Sequence, residues 1–153
     1  ENGQVFLDAT IHNFDDPACC PALPTTRRYA LVNDQLRIVN YTTTAPDGAK
    51  RILEIKSPAN GTEATVSAQV SGSVSVAPFE NNLSYFIYDE AGKALAQGSV
   101  TVTAPDLGKP AAFDSTIPLE GIPTGTTIYL ELQDVNAADG SLFAMDAVKL
   151  VVK

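Results

Sequence analysis

The sequence predicts an all-β protein, with a β-sandwich over most of its length and a short β-module in front of it. Three observations carry this. Apolar and polar residues alternate with period two almost throughout, the signature of half-buried strands. Turn signals rich in Gly, Pro, Asn and Asp separate the alternating runs at intervals of roughly 8 to 15 residues. No segment carries a helical stripe; Val135 to Ser141 has room for a single short helical turn at most. At 153 residues and 44% hydrophobic content, the chain has the size and apolar material of a folded domain.

The elements follow in order. In Gln4 to His12, Val5, Leu7, Ala9 and Ile11 share one face, and Asp8, Thr10 and His12 share the other. A turn-rich stretch from Asn13 to Pro21 comes next. Residues 26–32 and 35–41 form a hairpin around Asn33-Asp34, a pair suited to a tight turn, with Tyr29, Leu31, Leu36 and Ile38 as its apolar face. Residues 42–50 carry no apolar periodicity and read as a linker. Seven strands are expected after it: Ile52–Lys56, Ala64–Val76, Leu83–Asp89, Ala94–Thr103, Ala111–Leu119, Thr126–Asp134 and Met145–Lys153. In the second of these Ala68, Val70, Gly72, Val74 and Val76 alternate with Gln69, Ser71, Ser73 and Ser75, so one face is buried and the other wet. Glu90-Ala91-Gly92-Lys93 supplies the turn between the third and fourth. The expected organisation is a β-module at 1–41, a linker at 42–50 and a sandwich at 51–153.

A run of short motifs lies along the second part: Ile55-Lys56-Ser57-Pro58-Ala59-Asn60-Gly61, Val70-Ser71-Gly72, Phe79-Glu80-Asn81-Asn82-Leu83-Ser84-Tyr85, Asp89-Glu90-Ala91-Gly92-Lys93, Gln97-Gly98-Ser99-Val100, Ala112-Phe113 and Asp139-Gly140-Ser141. In this order and spacing they resemble the Gmad-type immunoglobulin-like domain of bacterial spore-germination lipoproteins, over residues 52–153. The resemblance implies a seven-stranded immunoglobulin-like sandwich outside the cytoplasm, without catalytic residues, used in adhesion or assembly at the cell envelope. Residues 1–40 are similar to something else. Asp15-Asp16-Pro17-Ala18-Cys19-Cys20-Pro21, Arg28-Tyr29-Ala30-Leu31 and Asp34-Gln35-Leu36 resemble the end of a Cys-Cys-Pro-containing module of bacterial secreted proteins and lipoproteins, which implies further strands upstream.

Charge and composition narrow the partners. Ten basic residues stand against 18 acidic ones, a net charge of −8, which argues against nucleic acid and anionic lipid. No apolar run approaches the ~20 residues of a membrane span. The chain opens at Glu1 without the basic and apolar regions of a signal peptide, so the expectation is that a leader or upstream segment has been removed. Abundant Thr, Ser, Ala and Val with scarce Lys is a composition common among bacterial surface β-proteins. Sequons begin at Asn40, Asn60 and Asn82; such triplets also arise by chance in Thr- and Asn-rich chains.

Raw material for catalysis is thin. His12 is the sole histidine, sits on the polar face of its strand, and has no Gly-x-Ser-x-Gly elbow to serve. Neither Asn13, Asp15 and Asp16 nor Asp134, Asn136 and Asp139 matches a calcium loop with its distal glutamate, and Asp-Gly is itself a turn dipeptide. No metal, no cofactor and no enzyme activity are therefore expected. The adjacent Cys19 and Cys20 leave three states open: a strained vicinal disulfide, an interchain bridge, or free thiols. Phe86 and Tyr88 lie opposite Leu83, Tyr85 and Ile87, where they offer an exposed aromatic contact or pack beneath the first module.

The functional expectation is a non-enzymatic, extracytoplasmic structural or interaction protein of the bacterial cell surface. It self-assembles in filament fashion through its terminal strands, with Val5, Leu7, Ala9 and Ile11 as the assembly stripe and Val148–Lys153 as a second edge. Its partners are copies of itself or other cell-surface proteins. The alternative is a monomeric module that binds an envelope glycan or a protein.

Overall fold

The computed structural model describes residues 3–106 and 108–153; Glu1 and Asn2, which open the expected β-module, and Leu107 lie outside the described residues. The strands in chain order are β1 (Gln4–Ile11), β2 (Leu23–Val32), β3 (Gln35–Thr44), β4 (Lys50–Arg51), β5 (Leu53–Ser57), β6 (Thr62–Ala64), β7 (Ser67–Val74), β8 (Asn82–Asp89), β9 (Ala94–Thr101), β10 (Ala111–Pro118), β11 (Thr127–Val135) and β12 (Leu142–Val152). Helical structure among the described residues is one 3-10 turn at Phe79–Asn81. In the stretch Val135 to Ser141, Val135 ends β11 and residues 136–141 form a loop, closed where Gly140 N–H donates to Asn136 O at 2.8 Å.

Two sheets face each other. The larger runs β1-β2-β3-β12-β11-β8-β9, with β4 added to β3 and β6 to β12; the smaller is β10-β7-β5. Apart from the short β6–β12 pair, which is parallel, the pairings are antiparallel. The core between the sheets is the product of the alternation. Leu83 and Ile87 from β8, Ile128, Leu130 and Leu132 from β11, and Leu150 from β12 meet Leu53, Val70 and Ile117 from the smaller sheet, each at most 1% exposed. Side chains of alternate residues leave a strand on opposite faces, so a strict apolar repeat delivers one continuous inner face.

Gly72 and Gly98 show why two strand positions carry no side chain. A Cβ on Gly72 would lie 2.0 Å from the backbone oxygen of Glu54 and 2.5 Å from the Phe113 ring, so β5 and the ring close over bare backbone. Gly98 lies beneath the ring of Tyr85, its cross-strand partner, and the ring covers the backbone that the glycine leaves open.

The front hairpin is built as its turn residues dictate. Asn33 and Asp34 have φ of 48° and 62°, the left-handed pair that a two-residue turn between twisted strands requires. β3 runs three residues into the stretch expected to be a linker, and Asn40, Tyr41 and Thr42 pair with Asp146, Met145 and Ala144 of β12. The hairpin thus extends the larger sheet of the sandwich. Past a bulge between Arg28 and Tyr29, its tip lies against the end of β8, where Arg37 Nη1 donates to Asp89 O at 3.2 Å and Asn33 Nδ2 to Glu90 O at 3.4 Å. A second small core fills this junction: Val39, Tyr41, Met145 and Ala147, with Ile11, Ala30, Ile38 and Leu142 packed around them.

The last strand corrects one expectation. β12 is paired on both sides, with β11 along one and with β3 and β6 along the other. Val148–Lys153 therefore presents no second open edge. Its alternation reads as well for an interior strand as for an edge one, and sequence pattern does not separate the two.

Candidate functional site

The larger sheet ends at β1. This strand pairs with β2 over its whole length, from Gln4 opposite Ala30 to Ile11 opposite Leu23, and with no other strand among the described residues. Its outer side carries backbone N–H and C=O groups with no ladder partner, the arrangement that invites another strand. The side chains add to the invitation: Val5 is 49% exposed, Phe6 62% and Leu7 44%. Of the expected stripe, Ala9 and Ile11 are half-buried, and Ile11 packs at the margin of the second core. The sequence reading assigned no role to Phe6, which projects to the face opposite Val5 and Leu7. Its signal was present, since a large apolar side chain on the polar side of an alternating strand is itself an anomaly.

Phe6 stands at the rim of a cavity of about 440 Å³ between the front hairpin and β5. The polar floor of this cavity is a half-buried cluster around the buried Asp146. Asp146 Oδ1 accepts from Asn40 Nδ2 at 3.0 Å and lies 3.3 Å from Arg28 Nη2, while Asp146 Oδ2 accepts from the backbone N–H of Ile55 at 2.8 Å. Burial pushes the Asp146 carboxyl up from its ordinary value, against the opposing pull of these donors. The cluster ties both arms of the hairpin to the sandwich across more than a hundred residues of sequence, and no local motif announces it.

A second polar junction fixes β4. Arg51 reaches Asp134 Oδ2 through Nη2 at 2.7 Å and Nε at 3.2 Å, and its guanidinium lies 4.5 Å from the Phe143 ring centre. Asp134 Oδ2 is thus held by Arg51, while its Oδ1 is buried without a hydrogen-bond partner among the described residues. Asn136 and Asp139 hold their own loop by accepting from the N–H groups of Ala138 and Ser141. Among the described residues, no group of three or more His, Cys, Asp or Glu is placed to hold a metal ion.

Phe86 and Tyr88 are half-buried, with ring centroids 6.1 Å apart. Arg37 of the hairpin lies 5.0 Å over the Tyr88 ring and 4.5 Å over that of Tyr129. Burial raises the pKa of both phenols. The first module thus covers Tyr88.

The loop from Asn13 to Ala22 closes on Asp16, whose Oδ2 accepts from the N–H groups of Asn13 at 2.8 Å and Ala22 at 2.7 Å. These donors hold the Asp16 carboxyl below its ordinary value. Cys19 and Cys20 sit inside this loop with their sulfurs at disulfide-bonding distance and their Cα atoms 3.8 Å apart. His12, at the start of the loop, is exposed. Its strand neighbour Asp8 accepts from Thr26 Oγ1 at 2.7 Å.

The model of the immunoglobulin-like domain of bacterial spore germination matches residues 52–141 of this chain. Comparison with curated proteins and with solved structures returned no match.

Proposed function

The chain belongs to the family of immunoglobulin-like domains of bacterial spore germination, and from that premise we propose that it is a non-enzymatic, extracytoplasmic interaction protein of the bacterial cell surface. We propose further that it joins copies of itself through β1. Members of this immunoglobulin-like family are typically non-catalytic, and the family is consistent with a bacterial cell-envelope protein. No helix among the described residues is long and apolar enough to cross a membrane.

The observation that carries the reading is the one-sided pairing of β1 together with the exposure of Val5, Phe6 and Leu7. A strand added to such an edge gains main-chain hydrogen bonds along its length and side-chain contacts on both faces. Growth into a filament requires a second edge on the same sheet, and β9 is the other end of that sheet. The Cys19–Cys20 pair fits as a vicinal disulfide that stiffens the loop joining β1 to β2, a loop that Asp16 also closes. Deleting residues 1–12 should abolish self-association, measured by light scattering after size exclusion, and leave the far-ultraviolet spectrum of the sandwich. Assembly unchanged by the deletion would overturn the assignment to β1.

The cavity beside Phe6 favours a second reading, a monomeric module binding an envelope glycan or a protein. An aromatic ring at the rim of a polar floor is a common way to hold a sugar. Under this reading the intact chain stays monomeric and binds cell-wall glycan fragments, and Phe6→Ala weakens that binding.

A further inference from the structure

Resting on the reading that β1 mediates self-association, we propose that the strand covering it is β1 of a second copy, paired antiparallel about a two-fold axis through Phe6. The pair is closed, and it takes the place of a filament.

Three observations converge on this. Val5, Phe6 and Leu7 are consecutive, so their side chains occupy both faces of the edge. A ligand resting on one face covers only part of this surface, whereas a strand laid edge to edge covers both.

The second observation is register. With Phe6 opposite Phe6 of the second copy, Val5 falls opposite Leu7 of that copy, and Gln4 opposite Asp8. The three exposed apolar side chains then meet one another, and the strand's lone carboxylate meets an amide. A pair centred on Asp8 would oppose two carboxylates, and one centred on Leu7 would set Phe6 against Asp8; like charges and mismatched pairs directly across a ladder are unfavourable.

The third observation is strand direction. Along β1-β2-β3-β12-β11-β8-β9 each neighbour is antiparallel to the last, so β1 and β9 point the same way. Repeating copies with the same face up would pair β1 with β9 in parallel, the slightly weaker ladder per residue. β9 also has little to offer. Its exposed residues, Ala94, Gln97, Gly98, Ser99 and Thr101, include no large apolar side chain, and just beyond its end Thr103 is bridged to Ala112. The two-fold pair at β1 keeps the antiparallel ladder and matches apolar with apolar.

The test is sedimentation equilibrium of the 153-residue chain over a wide concentration range, with Leu7→Lys alongside. The expected result is a monomer–dimer equilibrium, weakened at least tenfold by Leu7→Lys with the far-ultraviolet spectrum unchanged, since Leu7 is 44% exposed. Phe6→Cys should cross-link into a covalent dimer under mild oxidation, because directly opposed Cα atoms at ~4.5–5.5 Å lie within disulfide reach. Thr10→Cys should not, its symmetry mate being roughly 27 Å away along the strand. The unsubstituted chain under the same oxidation controls for Cys19 and Cys20. A chain that stays monomeric throughout overturns both this pair and the self-association reading. A polymer that grows with concentration overturns the closed pair while the self-association reading stands. A dimer in which Phe6→Cys fails to cross-link overturns the pairing at Phe6 and leaves association at another surface.

Discussion

Glu131 is 8% exposed and sits beneath the front hairpin, with Gln133 Nε2 donating to its Oε1 at 2.5 Å. Arg37, the cation that acts on it, lies over the faces of Tyr88 and Tyr129. Burial therefore wins and raises the Glu131 carboxyl above its ordinary value of 4.5. The sign for stability follows by linkage. Between the ordinary value and the raised one, the folded chain holds a proton that the unfolded chain has released. Stability from this group is fully present below the ordinary value and is lost as pH rises through the window to the folded value. Asp134 and Asp146 are also raised by burial and act with the same sign. Glu131→Gln keeps an acceptor for Gln133 and removes the buried charge. We expect the variant to be more stable than the parent at pH 7 and equal to it near pH 4, with a shallower decline between, read from urea midpoints across that range. A decline as steep as the parent's would show that Glu131 ionises without penalty.

Among the elements, β7 is tightly constrained at Gly72. Gly72 lies where β5 and Phe113 press on its backbone, and the atom a methyl would strike first is the carbonyl oxygen of Glu54. Backbone in a ladder cannot swing aside as a side-chain tip can. Gly98 faces only the ring of Tyr85. Gly72→Ala is therefore expected to cost about 3 kcal/mol or more and Gly98→Ala about 1 kcal/mol, following the range for overpacking. Urea unfolding of both variants checks the order, and equal midpoints would contradict it.

The strands themselves were legible in the sequence, because period-two alternation is a local property that burial on one face imposes. Ile52–Lys56, Leu83–Asp89 and Ala111–Leu119 each fall within a residue or two of the observed strand. The run Ala64–Val76 breaks at Thr65 and Val66, between β6 and β7, because β6 leaves to pair with β12 on the other sheet. Which strands meet was not legible. The Arg28, Asn40 and Asp146 cluster and the Arg37 stack join residues far apart in the chain, and each looks locally like an ordinary polar residue on a wet face. The β1 stripe was legible as apolar, but its edge position and the role of Phe6 depend on pairings that no single strand encodes.

At the scale of the whole molecule, the front hairpins and the sandwich share one sheet, and the hairpin covers the sheet's outer face. Tyr129, Met145 and Ala147 point away from the main core, yet they are only 5%, 3% and 8% exposed, because Val39, Tyr41 and Arg37 lie over them. Removing residues 1–50 would uncover these side chains and open the edge of β12 at Ala144–Asp146. It would also take Arg28 and Asn40 from Asp146, leaving that carboxylate with the Ile55 N–H as its remaining hydrogen-bond partner of the three. The inner core between the two sheets draws on none of the deleted residues, so the 51–153 chain is expected to fold. Returning the apolar surface of Tyr129, Met145 and Ala147 to water costs on the order of a few kcal/mol at about 25 cal/mol per Å². The shortened chain should unfold at lower urea, bind an apolar dye at Tyr129, Met145 and Ala147 where the full chain is covered, and associate through the newly opened β12 edge rather than through β1. If 51–153 instead matches the full chain in midpoint and ignores the dye, then the hairpin contributes nothing as a cover, and the sandwich is a self-sufficient unit to which the first module is merely appended.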